Sequence, residues 1–232
     1  MSFPFHLIDL THPLSTACPS WTGTCGFEHH LVTDYSNCAA PVKFRVQSIT
    51  MHAGIGTHMD APAHCIPGGK TIDQFELDQL IVPCFMIDIH EKSHANYQCS
   101  RKDLQTFELQ YSKIAKNSFV IIHAGWSRFW NQPEQYRNHL QFPSVSIEAA
   151  NFLLERDIAG LGIDTLSPDT ETSGFPVHQA LLGAGKYIVE NVAHADKLPP
   201  AGSFSMSLPL LTEDGTEAPV RLVGLVSKPN LN

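Results

Sequence analysis

The stretch His52-Ala-Gly54-Ile-Gly56-Thr57-His58-Met-Asp60-Ala-Pro62-Ala-His64 packs three histidines and a carboxylate into thirteen residues. If residues 57 to 60 run extended, side chains two apart leave the same face, so the His58 imidazole and the Asp60 carboxylate converge on one point. Pro62 ends such a strand because it has no N–H to give to a sheet ladder. His64 then returns toward the same point from the turn that follows. Imidazole nitrogen and carboxylate oxygen together suit zinc or manganese, and with no thiolate in the cluster a closed cysteine cage does not fit. A hydrated surface turn needs no such density of ligands on one face.

Outward from this segment, apolar runs rich in β-branched and aromatic residues recur between turn signals. They predict strands at Phe5 to Leu10, Phe44 to Met51, Val82 to Ile89, Phe119 to Ile122, Gly160 to Ile163, Tyr187 to Glu190, Phe204 to Leu208 and Val220 to Val226. Helices intervene. One starts at Ser100-Arg-Lys-Asp103 with a serine cap, one spans Pro133 to Leu140, and one runs from Ser146 to Asp157 with Ile147, Ala150, Phe152, Leu153 and Leu154 facing inward. This alternation predicts an α/β protein, a single domain over residues 1–232 with helices around a mixed sheet. Neither a linker nor an internal repeat is visible, and the two ends, Met1-Ser2 and Ser227 to Asn232, are expected to be loose.

Charged residues make up 16% and hydrophobic ones 43%, a folded, enzyme-like composition. The net charge of −8, with no basic cluster, argues against nucleic acid and anionic membranes as partners. Leu80 to Ile89, the longest apolar run, is too short to span a bilayer and is interrupted by Pro83 and Asp88. The N-terminus has neither a basic n-region nor an apolar h-region, which predicts a soluble, cytoplasmic protein. The six cysteines show no C-x-x-C spacing and are expected to be reduced thiols, most of them packed as small apolar groups. Cys65 follows His64 directly, so a nucleophilic Cys65 with His64 as its base is an alternative chemistry for this segment.

The segment Gly56-Thr57-His58-Met-Asp60-Ala-Pro62-Ala-His64 resembles the signature of the metal-dependent cyclase and hydrolase family that includes bacterial kynurenine formamidase and isatin hydrolase. Asp9-Leu10-Thr11, Gly125-Trp126, Gly162-Ile-Asp164-Thr-Leu-Ser167, Pro176-Val-His178-Gln-Ala-Leu-Leu182, Ile188-Val-Glu190-Asn191 and Pro219-Val-Arg221 resemble that family's landmarks, in the family's order and over almost the whole chain. The resemblance implies a swivelling β/β/α cyclase-like fold and hydrolysis of a C–N bond in a small amide, as in arylformamidases of tryptophan catabolism. Lactone hydrolysis or cyclisation is an alternative within the family, and a catalytically silent metal-binding scaffold is one outside enzymes. It also implies a homodimer or homotetramer and one or two divalent ions per chain.

By the same resemblance, Asp60, His178 and Glu190 hold one metal, and His58 and Asp60 contribute to a second in two-metal members. His64 is then the acid/base, unless it is a further ligand. Taken alone, His178 reads equally as a polar residue at a helix start, and Glu190 as a buried ion-pair partner. A buried glutamate is costly, however, so a nearby cation is expected in either case. One position departs from the two-metal pattern: Gly54 stands where those members carry a histidine. His52 lies two residues upstream, roughly 6.5 Å along a regular strand, and reaches the metal only if a bulge at Gly54 or Gly56 returns it. Trp21, with Trp126 behind it, is the expected aromatic lining of the substrate pocket, and His123 is expected to face that pocket from the end of a strand.

Overall fold

The computed structural model describes residues 3–39 and 41–228. In chain order the strands are β1 (Phe5–Asp9), β2 (Phe27–Thr33), β3 (Val46–Met51), β4 (His58–Asp60), β5 (Ile81–Asp88), β6 (Gln98–Cys99), β7 (Phe119–His123), β8 (Ser144–Val145), β9 (Gly160–Ile163), β10 (Tyr187–Glu190), β11 (Ser203–Pro209) and β12 (Glu217–Ser227). The α-helices are α1 (Leu77–Leu80), α2 (Arg101–Gln110), α3 (Pro133–Arg137), α4 (Ile147–Glu155) and α5 (Pro176–Gly183). Eight strands form one mixed sheet in the order β1-β12-β11-β5-β7-β9-β10-β4, and β4 also pairs with the start of β12, so the sheet closes on itself. The strands β5, β7, β9 and β10 run parallel at its centre.

Every residue of β7 is buried, as expected of a parallel strand covered on both faces. One face of the sheet contributes Val82, Cys84, Met86, Ile121 and Val189 to a core closed by Met59 and Leu222. Phe85, Ile87, Val120, Ile122 and Ile188 on the other face pack against Leu104 and Phe107 of α2, Ala150 and Leu153 of α4 and Leu181 of α5. This alternation by two is the pleat read directly from the sequence. The Ser100 and Ser146 side chains cap α2 and α4 by accepting from the backbone N–H groups of Asp103 and Ala149.

Several expectations need correction. The inward face of α4 is Ala149, Ala150, Phe152 and Leu153, with Ile147 and Leu154 only half-buried. The helix begun at Pro133 stops at Arg137, because Asn138, His139 and Leu140 all take left-handed backbone angles. The strand β2 was not expected, since Glu28-His29-His30 interrupts its apolar pattern; it pairs with β3 in a separate two-stranded ribbon. Ser227 ends β12 in register with Phe5, so the C-terminal chain is paired this far. Met1-Ser2 and the last four residues lie outside the described residues. No helix among the described residues is long and apolar enough to cross a membrane.

Candidate metal centre

The strand β4 lies between β10 and the start of β12, with His58 opposite Glu190, Asp60 opposite Ile188, and Asp60 opposite Glu217 on the other side. Opposed residues in antiparallel pairs share a face. His58, Asp60, Glu190 and Glu217 therefore emerge together on the helix-bearing face, while Met59 and Val189 point into the other core. The third residue of α5 completes the group: His178 is buried above the same point.

Four pairs of ligand atoms surround that point. His58 Nε2 lies 3.4 Å from Asp60 Oδ1 and 3.4 Å from Glu190 Oε2. His178 Nε2 lies 3.6 Å from Asp60 Oδ2 and 3.4 Å from Glu190 Oε1. These separations exceed ordinary hydrogen-bond lengths. Asp60 and Glu190 each face the two imidazoles with different oxygens, at separations that ligand atoms sharing a bound cation can adopt. Both Asp60 oxygens are buried without a hydrogen-bond partner. An orphaned buried carboxylate is costly, and its oxygens sit where a divalent cation would satisfy them. The donor set fits zinc or another transition metal.

The imidazoles are oriented from behind. His58 Nδ1 lies 2.9 Å from the Gly56 carbonyl oxygen, so it carries the proton and leaves the Nε2 lone pair facing the cradle. His178 Nδ1 lies 2.8 Å from Asp169 Oδ2, and Asp169 also accepts from the backbone N–H groups of Val177 and His178. Such carboxylate and carbonyl partners fix the tautomer of metal-binding histidines. The His58 turn is fixed in turn by Asn191, whose Nδ2 donates to Gly56 O at 2.8 Å and whose Oδ1 accepts from Tyr136 Oη at 2.9 Å. Gly56 at φ +64° and Asn191 at φ 58° supply the left-handed bends that this arrangement needs.

In the metal-free protein, burial disfavours a charged His178, but its contacts with Asp169, Asp60 and Glu190 overrule this and push its pKa up to about 12. Burial likewise opposes a charged His58, and Asp60 and Glu190 outweigh it, so that its pKa is raised. Burial, with the Asp60 charge beside it, raises the Glu190 carboxyl. The Asp60 carboxyl is lowered, because His58 and His178 outweigh its burial. The pattern is that of a cation-binding cradle with protons standing in for a cation.

A cavity of about 800 Å³ opens over the cradle. Its lining includes His58, Asp60, His178 and Glu190, with His64, Glu217 and Gly54 beside them and Trp21, Phe175, Leu166 and Ile66 as apolar walls. His64 comes from a 3-10 turn, Pro62–His64, as the proline predicted. Its Nδ1 lies 3.2 Å from Glu217 Oε2, and that contact raises its pKa against partial burial. Trp21 packs its ring against Phe142 and Phe175.

Three expectations fail on placement. His52 is exposed and stacks its ring where a side chain on Gly26 would sit, so no bulge brings it to the cradle. Trp126 is buried in the core, with Nε1 donating to Tyr136 O, and lines no part of the cavity. His123 points to Asp88 at the opposite end of β7 from Phe119 and is absent from the cavity wall. Cys65 lines the cavity, but partial burial raises its thiol pKa and His64 is turned to Glu217, which does not support a nucleophile-base pair. The sequence reading missed Asp169 and Glu217. Asp169 has a local signal, Ser167-Pro-Asp169 ahead of a helix start, whereas Glu217 becomes a site residue only through the β4–β12 register.

The family model described as "Putative cyclase" matches residues 8–170. Isatin hydrolase of Roseibium aggregatum is 26% identical over 216 residues, covering 87% of this chain and 81% of that protein. Kynurenine formamidase of Bacillus mycoides is 26% identical over 221 residues, covering 93% and 95%. Among solved structures, isatin hydrolase A from Labrenzia aggregata, bound to benzyl benzoate, superposes with a TM-score of 0.87 at 26% identity over 97% of this chain and 95% of that one. The fold is also shared with an isatin hydrolase bound to the product analogue thioisatinate, at a TM-score of 0.89 and 24% identity over 97% and 94% of the two chains. The family model spans β4 and ends before α5 and β10, while the relatives and solved structures cover 87–97% of this chain: the chain belongs to the cyclase family of metal-dependent hydrolases.

Proposed function

We propose that this chain hydrolyses a C–N bond of a small aromatic amide, either an aryl formamide or a cyclic amide, with zinc or manganese held by His58, Asp60, His178 and Glu190. The observation that carries this reading is the pair of orphaned Asp60 oxygens ringed by three further ligands, with His64 beside them and free of the ring. When bound, such a cation lowers the pKa of water toward neutrality and polarises a carbonyl. Trp21, Phe175 and Leu166 offer the apolar walls that hold a flat aromatic substrate and thin out bulk water. His64 accepts the proton from the attacking water and returns it to the leaving nitrogen. Lactone hydrolysis would use the same groups. A silent metal-binding scaffold has no use for the His64–Glu217 pair beside its cradle.

If His64 is the base, His64→Ala should retain metal and lower turnover of N-formylkynurenine or isatin by about 10²–10⁴-fold. Loss of metal together with activity would move His64 into the ligand shell, and full activity would reject the base role.

The β2–β3 ribbon supports a homodimer or homotetramer. Leu31, Val32, Val46 and Ile49 are exposed on it, and a two-stranded ribbon is at best marginally stable uncovered. Light scattering at micromolar concentration should give a multiple of the 25.6 kDa chain mass; a monomer would reject the assembly.

A further inference from the structure

Glu217 lies beside the four cradle residues, grouped with Asp60 and His64 by donor atoms within 4.8 Å of one another, and its carboxylate reaches into the cavity. The register across β4–β12 sets it opposite Asp60, on the same face. Its Oε2 lies 3.2 Å from His64 Nδ1. Its Oε1 occupies the space that any side chain at position 54 would need: a Cβ built on Gly54 falls 2.1 Å from Glu217 Oε1, 3.1 Å from its Cδ and 3.3 Å from His58 Nε2. Gly54 is not in the left-handed region, so the backbone there does not require glycine. The absent side chain makes room for the carboxylate.

From these contacts we infer that Glu217 is a positioning residue for His64, and that Gly54 is glycine to admit it. The inference rests on the reading of His64 as the base. At 3.2 Å the carboxylate favours the proton on His64 Nδ1. With that proton held, the neutral ring is the tautomer whose Nε2 lone pair is open to take a proton, and the ring is tethered at one edge. An imidazole without such a partner populates both tautomers and turns freely. Molecules with the proton on Nε2 then have no lone pair open on that nitrogen.

The test uses full-length, zinc-loaded protein and variants at His64, Glu217 and Gly54. Long-range ¹H–¹⁵N correlation spectra report the His64 tautomer, with the His64 signal identified by its loss in His64→Gln. Wild type should show Nδ1–H. Glu217→Ala should show a tautomer mixture, unchanged zinc content, and a kcat lowered by about 10–100-fold with KM little changed, the range for a lost partner behind a working imidazole. Glu217→Gln should recover much of both readouts, because its amide oxygen can still face Nδ1–H. Gly54→Ala should reproduce the Glu217→Ala tautomer mixture with Glu217 still present, because the new methyl displaces the flexible carboxylate. An unchanged tautomer in Glu217→Ala overturns the positioning role. Loss of zinc in Glu217→Ala also overturns it and makes Glu217 a ligand. A His64→Ala variant of full activity defeats the base reading alone, since the tautomer spectrum does not depend on turnover.

Discussion

Among the described residues, the group Asp88, His90 and His123 and the group His58, Asp60 and Glu190 both gather histidine and carboxylate at strand ends, and they use their aspartates in opposite ways. Asp88 and His123 close the parallel strands β5 and β7 in direct register, and His90 follows two residues after Asp88. In both clusters the donor atoms lie within 4.8 Å of one another, close enough for a metal. Asp88 Oδ1, however, is already satisfied: it accepts from His90 Nδ1 at 2.7 Å, His123 Nδ1 at 3.0 Å and the His90 backbone N–H at 3.1 Å. Partial burial opposes the Asp88 charge, but these donors outweigh it and hold its carboxyl below the usual range. Asp60 is buried with no hydrogen bond to either oxygen, and its neighbours stand back at 3.4 and 3.6 Å. Residue types alone do not distinguish the clusters. Whether the carboxylate oxygens are spent on N–H groups or kept for a cation does.

The largest effect should follow from removing the unspent oxygens. Asp60→Asn keeps the size of the side chain but loses its charge and one acceptor. Elemental analysis should show bound metal falling from about one ion per chain to near zero, because the cradle loses the negative charge between its two histidines. Retention of stoichiometric metal would show that the cradle does not depend on Asp60. The same contrast has a pH signature. His58, His178 and Glu190 have pKa values raised by folding, so in metal-free protein the stability from the two histidines is complete below their ordinary value of 6.5 and fades as pH rises toward the folded values, about 12 for His178. Metal binding needs both imidazoles deprotonated, so its contribution grows over the same range. The melting temperature of metal-free protein should therefore fall from pH 6.5 to 9 while the increment on adding zinc rises. A flat increment would contradict a ligand role for the histidines.

Much of the cradle was legible because its chemistry is local. The i and i+2 spacing of His58 and Asp60 on a short strand, the stop at Pro62 and the return of His64 from a turn all follow from backbone geometry, and the structure repeats them. The parallel strands were legible because complete burial leaves an unbroken apolar run, as in Phe119-Val-Ile-Ile. What escaped depends on pairing across distance. Glu217 is one acid among 23 Asp and Glu until β12 sets it opposite Asp60. The expectation for His52 failed for the same reason in reverse. Sequence proximity placed it beside the site, but the chain turns between Met51 and His58, and Glu217 arrives from the far end of the sequence to fill the space at Gly54. The expectation for Trp126 failed because Asp164 pins its turn, accepting from the backbone N–H groups of Ala124, Trp126 and Ser127 and driving the indole into the core.

The smallest effect should come from the second cluster. In Asp88→Asn one oxygen still accepts a hydrogen bond, while the charge facing His90 and His123 is lost. The Asp88 and His90 side chains are 42% and 47% exposed, so solvent screens much of that charge. The expected loss of stability is within about 1 kcal/mol, the range of partly exposed ion pairs, read as a small shift in the denaturant midpoint at unchanged slope. Metal content and turnover should match wild type, because the cluster lies outside the cavity that holds the cradle. Measuring metal in the same preparations sharpens the comparison. If Asp88→Asn loses a metal equivalent that Asp60→Asn keeps, then a carboxylate engaged by two imidazole N–H groups can still serve as a ligand set, and orphaned oxygens are not the mark of a metal centre in this fold.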